Sequence, residues 1–287
     1  MLTFSKKKII IAAIILVAII ISVVYFWPKP KVEPVIIAKD PKITVIGKTV
    51  QNRAIESYDF GQGPQNLIFV GGIHGGYEWN SVVLAYQFID YLKANPQVVP
   101  ANLTISVIPS ANPDGVFKVI GKEGRFLATD APSVEATKPG RFNANNVDLN
   151  RNFDCNWAPT AMWQGKTVSA GTAPFSEPEA VTMRDFFLAK KPLAVIFWHS
   201  QANAVYASAC KNGILSGTLK IMDLYSAASG YPASKTFDSY AVTGAAEDWL
   251  ASINIPAITV ELKTHEVIEW EKNLAGSKAL LDYFGKK

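Results

Sequence analysis

Four short apolar runs, each ending in or interrupted by polar groups, do most to limit what this chain can fold into. They are Leu67–Val70, Leu103–Pro109, Leu193–Trp198 and Ile258–Leu262. Each is too short for a helix; the first and third are unbroken apolar runs, while the second and fourth are interrupted by Thr104 and Ser106, and by Thr259 and Glu261. All four read as strands, the first and third as buried ones, in a sheet alternating with helices. The segments between them carry helical spacing or helix signals. Ser81–Lys93 suits a helix packed on one face, and Phe175-Ser176-Glu177-Pro178-Glu179 looks like the start of a helix running to Ala189. Further helices are expected over Gly217–Ala228 and Val267–Phe284, with a strand pair over Ile43–Val50 and Arg53–Tyr58. Residues 118–141 lack clear periodicity and read as loop, and Asn112-Pro113-Asp114-Gly115 reads as a turn. No repeat is visible, so strands alternating with helices predict one α/β domain.

The segments just past two of these strands carry chemistry. Gly71-Gly72-Ile73-His74-Gly75-Gly76-Tyr77-Glu78 comes after the first run, and His199-Ser200-Gln201 after the third. The C-terminal edge of a parallel sheet is where ligands bind. Two of the chain's three histidines therefore sit at that edge, one with a carboxylate nearby. Two histidines and a carboxylate are a usual set of three protein ligands for catalytic zinc, with a position left for water. Glu261 lies inside the last run between Val260 and Leu262, where an acid is costly to bury unless it is paired or functional. It is the candidate general base. The bland alternative is that strand alternation turns it to solvent.

The first forty residues set a location. Ile9–Trp27 contains no charge and is about as long as a bilayer core is thick. Lys6, Lys7 and Lys8 precede it and Tyr25-Phe26-Trp27 closes it, as in an anchor with its N-terminus inside. The bulky residues before Pro28 make a poor cleavage site, which weighs against the alternative of a removed signal peptide. The expected order is a cytoplasmic tail (1–8), a transmembrane signal anchor (9–27), a proline-rich linker (28–42) and an extracytoplasmic domain (43–287). Five of the lysines behind the formal charge of +4 flank the anchor, so the remainder is near neutral and shows no basic stripe for nucleic acid. Cys155 and Cys210, an even pair in an exported chain, are expected to form a disulfide; two buried reduced cysteines are the alternative.

Taken together, these motifs resemble the zinc carboxypeptidases, the metallocarboxypeptidases related to pancreatic carboxypeptidases A and B. The resemblance runs from about residue 50 to 285 through ordered segments: Gly72–Trp79, Asn112–Gly115, Val147–Phe153, Pro174–Glu179, Trp198–Ser200 and Thr259–Leu262. It implies a single α/β domain with a central mixed, mostly parallel twisted sheet flanked by helices. It implies one Zn2+ held by His74, Glu78 and His199, with Glu261 as catalytic base. Asn150 and Arg151 would clasp the substrate's terminal carboxylate, for which an arginine fork is suited. A second arginine would stabilise the oxyanion; Arg141 is the first choice and Arg125 the fallback. Tyr240, nine residues before Trp249, matches a mobile tyrosine that closes over substrate. Glu247 occupies the position that lines the side-chain pocket. A carboxylate there favours a basic or amino-bearing terminal residue such as Lys, Arg or diaminopimelate, unless it faces water on a helix.

One departure stands out: three residues separate His74 from Glu78 where the family has two. A four-residue step keeps both on one helix face, or Gly75-Gly76 absorb the extra residue as a loop. The expected activity is hydrolysis of the C-terminal peptide bond of a peptide. The rivals are a cell-wall amidase or carboxypeptidase acting on diaminopimelate-containing muropeptides, an acyl-amino-acid deacylase, and an inactive binding module.

Overall fold

The computed structural model describes residues 40–287, so the expected anchor, tail and most of the linker lie outside the described residues. Among the described residues no helix is long and apolar enough to cross a membrane. An eight-stranded sheet forms the centre, from β1 (Lys42–Lys48), β2 (Ala54–Gly61), β3 (Gln65–Val70), β4 (Leu103–Ile108), β7 (Ala194–Ser200), β8 (Ala204–Ala207), β9 (Ala233–Ser234) and β10 (Ala257–Leu262). Its spatial order is β1-β2-β4-β3-β7-β10-β8-β9. β4, β3, β7 and β10 run parallel, while β2 and β8 join them antiparallel on either side. The four apolar runs read from sequence are these four parallel strands.

Helices cover both faces: α1 (Trp79–Ala94), α2 (Pro113–Ile120), α3 (Val134–Thr137), α4 (Pro178–Lys190), α5 (Ser216–Ser229), α6 (Ala246–Ser252) and α7 (Trp270–Gly285). Alternation along the strands divides the core. Phe69, Ile196, Trp198 and Val260 pack with α1, α5 and α7. Ile68, Val70, Val195 and Phe197 pack with Phe187 of α4 and Trp249 and Leu250 of α6. His199, Thr259 and Glu261 continue the second parity, and Glu261 pairs in register with His199 across β10 and β7. The period of two therefore aims both side chains to the α6 side at the carboxyl end of the sheet.

That end is a switch point. From β3 the chain crosses through α1 to β4 on one side, whereas β7 lies on the other. Loops leaving the adjacent β3 and β7 part in opposite directions and open a crevice between them. His74 leaves one strand and His199 ends the other.

Three local expectations need correction. Residues 118–141 are not all loop: α2 reaches Ile120, α3 adds a turn, and a 3-10 turn spans Lys138–Arg141. Such single turns are too short to show an apolar stripe. Asn112–Gly115 opens α2 instead of standing as a turn, the Asn112 side chain accepting from Gly115 N (2.9 Å). A polar segment such as 146–153 would be expected at the surface, yet it is buried from Val147 to Phe153. A hairpin of β5 (Thr160–Trp163) and β6 (Lys166–Ser169), unseen in the sequence, bridges to it at Ser169.

Candidate metal and peptidase site

His74 lies four residues beyond β3, and a 3-10 turn over Gly75–Glu78 then runs straight into α1. The pair of glycines makes this turn possible. A Cβ on Gly75 would lie 2.5 Å from Gly140 O, and one on Gly76 2.0 Å from Val119 Cγ2. Gly75 also has φ +47°, a left-handed conformation that suits glycine. The extra residue is thus taken up tightly, and Glu78 sits at the start of α1. Ser81 fastens the turn, donating to Glu78 O (2.7 Å) and accepting from Gly72 N (3.0 Å).

The turn brings His74 Nδ1 to 2.7 Å from Glu78 Oε1, and His199 Nδ1 to 3.1 Å from Glu78 Oε2. The two Nδ1 atoms face each other at 3.2 Å. All three side chains are buried, with donor atoms within 4.8 Å of one another. Burial pushes the Glu78 carboxyl up, but the two imidazoles overcome this and hold it well below the usual carboxylate range. Two imidazole nitrogens that face each other beside an ionised carboxylate demand positive charge between them. A divalent cation meets that demand for all three, so the residues fit the zinc expected of them.

Asp148, which no sequence signal singles out, supports this group from behind. Its Oδ1 is 3.4 Å from His74 Nε2 and its Oδ2 accepts from Arg141 Nε at 2.8 Å, with Arg141 Nη2 at the same distance. Burial would raise its pKa, yet Arg141 and Arg151 keep it far below the ordinary range. A carboxylate on the far nitrogen of a ligand histidine fixes ring orientation and basicity. The residue lies within the Val147–Phe153 motif; only its contacts reveal which acid meets the histidine.

A cleft of about 310 Å³ opens beside the trio, lined by His74, His199, Arg141, Asn150, Arg151, Tyr240, Glu247 and Glu261. Every residue expected of the site, other than Glu78 beneath it, borders this one space. Glu261 Oε2 is shut from solvent and has no protein partner. Burial raises its pKa to about 8, with Glu78 and Glu247 adding to the effect against His199 and Arg141. A bound cation would reverse that balance towards the carboxylate. Arg141 is buried, whereas Arg125 lies on the outer surface, paired through two 2.8 Å bonds with Asp90.

Asn150 and Arg151 form a 3-10 turn with Leu149, held by Asp148 Oδ1 accepting from Asn150 N. Arg151 Nη1 donates to Asn150 O (2.6 Å), while its Nε has no partner. Tyr240 rests against the Arg151 guanidinium at 5.8 Å. Glu247 does not face water. It is 9% exposed, and its Oε1 accepts from Asn150 Nδ2 (3.3 Å) and Thr259 Oγ1 (3.1 Å), leaving Oε2 unpartnered in the cleft wall. Cys155 and Cys210 are joined in a disulfide. It lies next to Ala209, whose N–H donates to Asp248 (2.9 Å) in the same wall. The third histidine, His265, stands outside the trio, 2.7 Å from Ser200 Oγ and with its ring 4.3 Å from that of Tyr77.

Comparison with known proteins bears on this geometry. Residues 37–274 match the sequence model of the zinc carboxypeptidases. A gamma-D-glutamyl-L-diamino acid endopeptidase 1 from Lysinibacillus sphaericus is 27% identical over 242 residues, 76% of this chain but only 60% of that protein. Among solved structures, carboxypeptidase A from Helicoverpa armigera shares the fold with a TM-score of 0.66 at 19% identity, covering 86% of this chain and 67% of that one. Murein-tripeptide amidase MpaA from Escherichia coli O157 does so with 0.59 at 20% identity, covering 86% and 92%.

Proposed function

Since the chain belongs to the zinc carboxypeptidase family, we propose that it is a zinc-dependent peptidase. It hydrolyses the last peptide bond of peptides with a free C-terminus and favours a basic or amino-bearing terminal residue. The observation that carries this reading is the register pairing of Glu261 with His199. It sets an unpartnered carboxylate beside the metal trio, at the cleft that also holds Arg151.

Zinc held by His74, Glu78 and His199 would supply Lewis-acid polarisation of the scissile carbonyl and would lower the pKa of the attacking water. Glu261 takes the proton from that water and delivers it to the leaving amine. Arg141 stabilises the charge that develops on the carbonyl oxygen. The Arg151 guanidinium, whose Nε has no protein partner, with Asn150 beside it, binds the terminal carboxylate and so selects exopeptidase cleavage. Tyr240, whose hydroxyl burial keeps protonated, closes over the bound terminus as a donor. Glu247 Oε2 accepts from a cationic side chain.

A second reading is hydrolysis of muropeptides at a diaminopimelate residue. The similarity to the Lysinibacillus sphaericus endopeptidase and the carboxylate of Glu247 favour it. An extracytoplasmic, membrane-anchored location suits either substrate, and the disulfide accords with an oxidising compartment.

The test is to purify the full-length protein, measure its zinc, and incubate it with a mixed library of peptides and muropeptides read by mass. One zinc per chain and loss of single C-terminal residues, abolished by chelator, are expected. Absence of zinc would leave only a binding module. Glu261→Gln should keep the metal and lose about 10²- to 10⁴-fold in kcat; full turnover in that variant would remove Glu261 as the base.

A further inference from the structure

Arg141 is held by Asp148 in an incomplete way. Nε donates to the single oxygen Oδ2 at 2.8 Å, and Nη2 lies equally close to that oxygen but makes no hydrogen bond. The other oxygen is taken up by Asn150 N at 3.2 Å and His74 Nε2 at 3.4 Å. A fork-to-fork pair using both oxygens would fix a guanidinium plane. Contact with one oxygen, and with Glu78 Oε1 no nearer than 3.8 Å to Nη1, leaves the plane loosely fixed by its ionic partners, so that its face needs a further support.

The face is covered by Trp163. Its ring lies 4.7 Å from Arg141 Cζ, with Tyr77 further off at 5.9 Å. Trp163 is 7% exposed and is itself braced, edge-on, by Tyr77 (5.2 Å) and Phe142 (5.8 Å). The next residue, Gln164, donates to the Tyr77 hydroxyl (3.1 Å). The base of the hairpin is tied to the same carboxylate segment, since Asp148 N donates to Ser169 O (2.9 Å). One hairpin thus grips the arginine at both ends, through the backbone of its counterion and through the face of its guanidinium.

We propose that Trp163, at the end of strand β5, is a positioning residue. Its indole face holds Arg141 in the plane where the Nη1 edge, which does not bond Asp148, meets the developing oxyanion. The inference rests on the oxyanion role given to Arg141 above. A desolvated cation–π contact is worth about 1–2 kcal/mol, so its loss corresponds to roughly five- to thirty-fold in rate.

The test is a kinetic cycle on the full-length zinc-loaded protein, using Trp163→Leu, Trp163→Phe, Arg141→Ala and both double variants against a peptide ending in lysine. Trp163→Leu should lose roughly five- to thirty-fold in kcat with KM within about twofold and zinc content unchanged. Trp163→Phe should recover most of that loss. In the Arg141→Ala background neither substitution at 163 should cost anything further, because a residue acting through Arg141 has nothing left to position. A purely structural tryptophan would show its cost in both backgrounds. A full loss in the Arg141→Ala background, a loss confined to KM, or no loss at all would overturn the proposal. If Trp163→Leu fails to fold, Trp163→Met, which keeps apolar bulk without a ring face, takes its place in the cycle under the same criterion. If Arg141→Ala itself leaves kcat unchanged, the oxyanion role falls and the proposal with it. If Arg141→Ala is slow and Trp163→Leu is not, only the proposal falls.

Discussion

Replacing Asp148 by asparagine removes one negative charge from between two buried cations and a ligand histidine. The carboxylate is fully buried and in contact with Arg141, with Arg151 also acting on it. Breaking a buried pair by deleting one partner costs about 3–5 kcal/mol, because the remaining charge stays desolvated. For a domain of this size that lowers Tm by roughly 6–20 °C. The measurement is thermal and urea unfolding of wild type and Asp148→Asn in chelator, which removes any contribution from metal binding. The pH dependence has a definite sign. In the unfolded chain an aspartate titrates near 3.9, whereas in the fold this one is held far lower. Its contribution is therefore complete above about pH 5 and is lost only as pH falls towards the depressed folded value. The gap between wild type and variant should stay constant from pH 5 to 8 and close in strong acid. In a separate competition assay zinc affinity should fall about 10- to 100-fold, as for other outer partners of metal ligands. A variant that unfolds within about 1 kcal/mol of wild type and binds zinc equally well would refute the reasoning.

Other consequences arise from the same geometry. Glu247→Ala should reduce the preference for C-terminal lysine over leucine by about 10- to 100-fold, the worth of a charge-assisted hydrogen bond; equal kcat/KM ratios before and after would remove Glu247 from specificity. Cys155→Ser with Cys210→Ser opens a cross-link between residues 55 apart. It should cost up to about 4 kcal/mol by chain entropy, read as a lower urea midpoint for the double variant than for the oxidised wild type. Gly76→Ala would push a Cβ into Val119 and Gly115, so zinc binding should weaken although no ligand has changed, as isothermal titration would show.

The placing of Glu78 marks where local pattern stops. Sequence spacing allowed a helical step or an absorbed loop, and the choice fell to backbone contacts of Gly75 and Gly76 with residues 115, 119 and 140. Arg141 and Arg125 were equal as residue types. Packing buried one against Asp148 and left the other on the surface with Asp90. The hairpin at 160–169 escaped notice because four-residue strands carry too little alternation to register.

By itself the sequence determined the parallel core and the edge at which chemistry occurs. Short, largely apolar runs between helical segments form strands of a parallel sheet, and the loops leaving such strands collect at one end of it. It also determined the types of residue at the site, since zinc and carboxylate recognition demand particular ligands. Only the tertiary structure decided which acid supports His74, which arginine enters the cleft, whether Glu247 faces water, and that an indole covers Arg141. Those outcomes depend on contacts between segments far apart in the chain, where burial and charge pairing, not local spacing, set the energy.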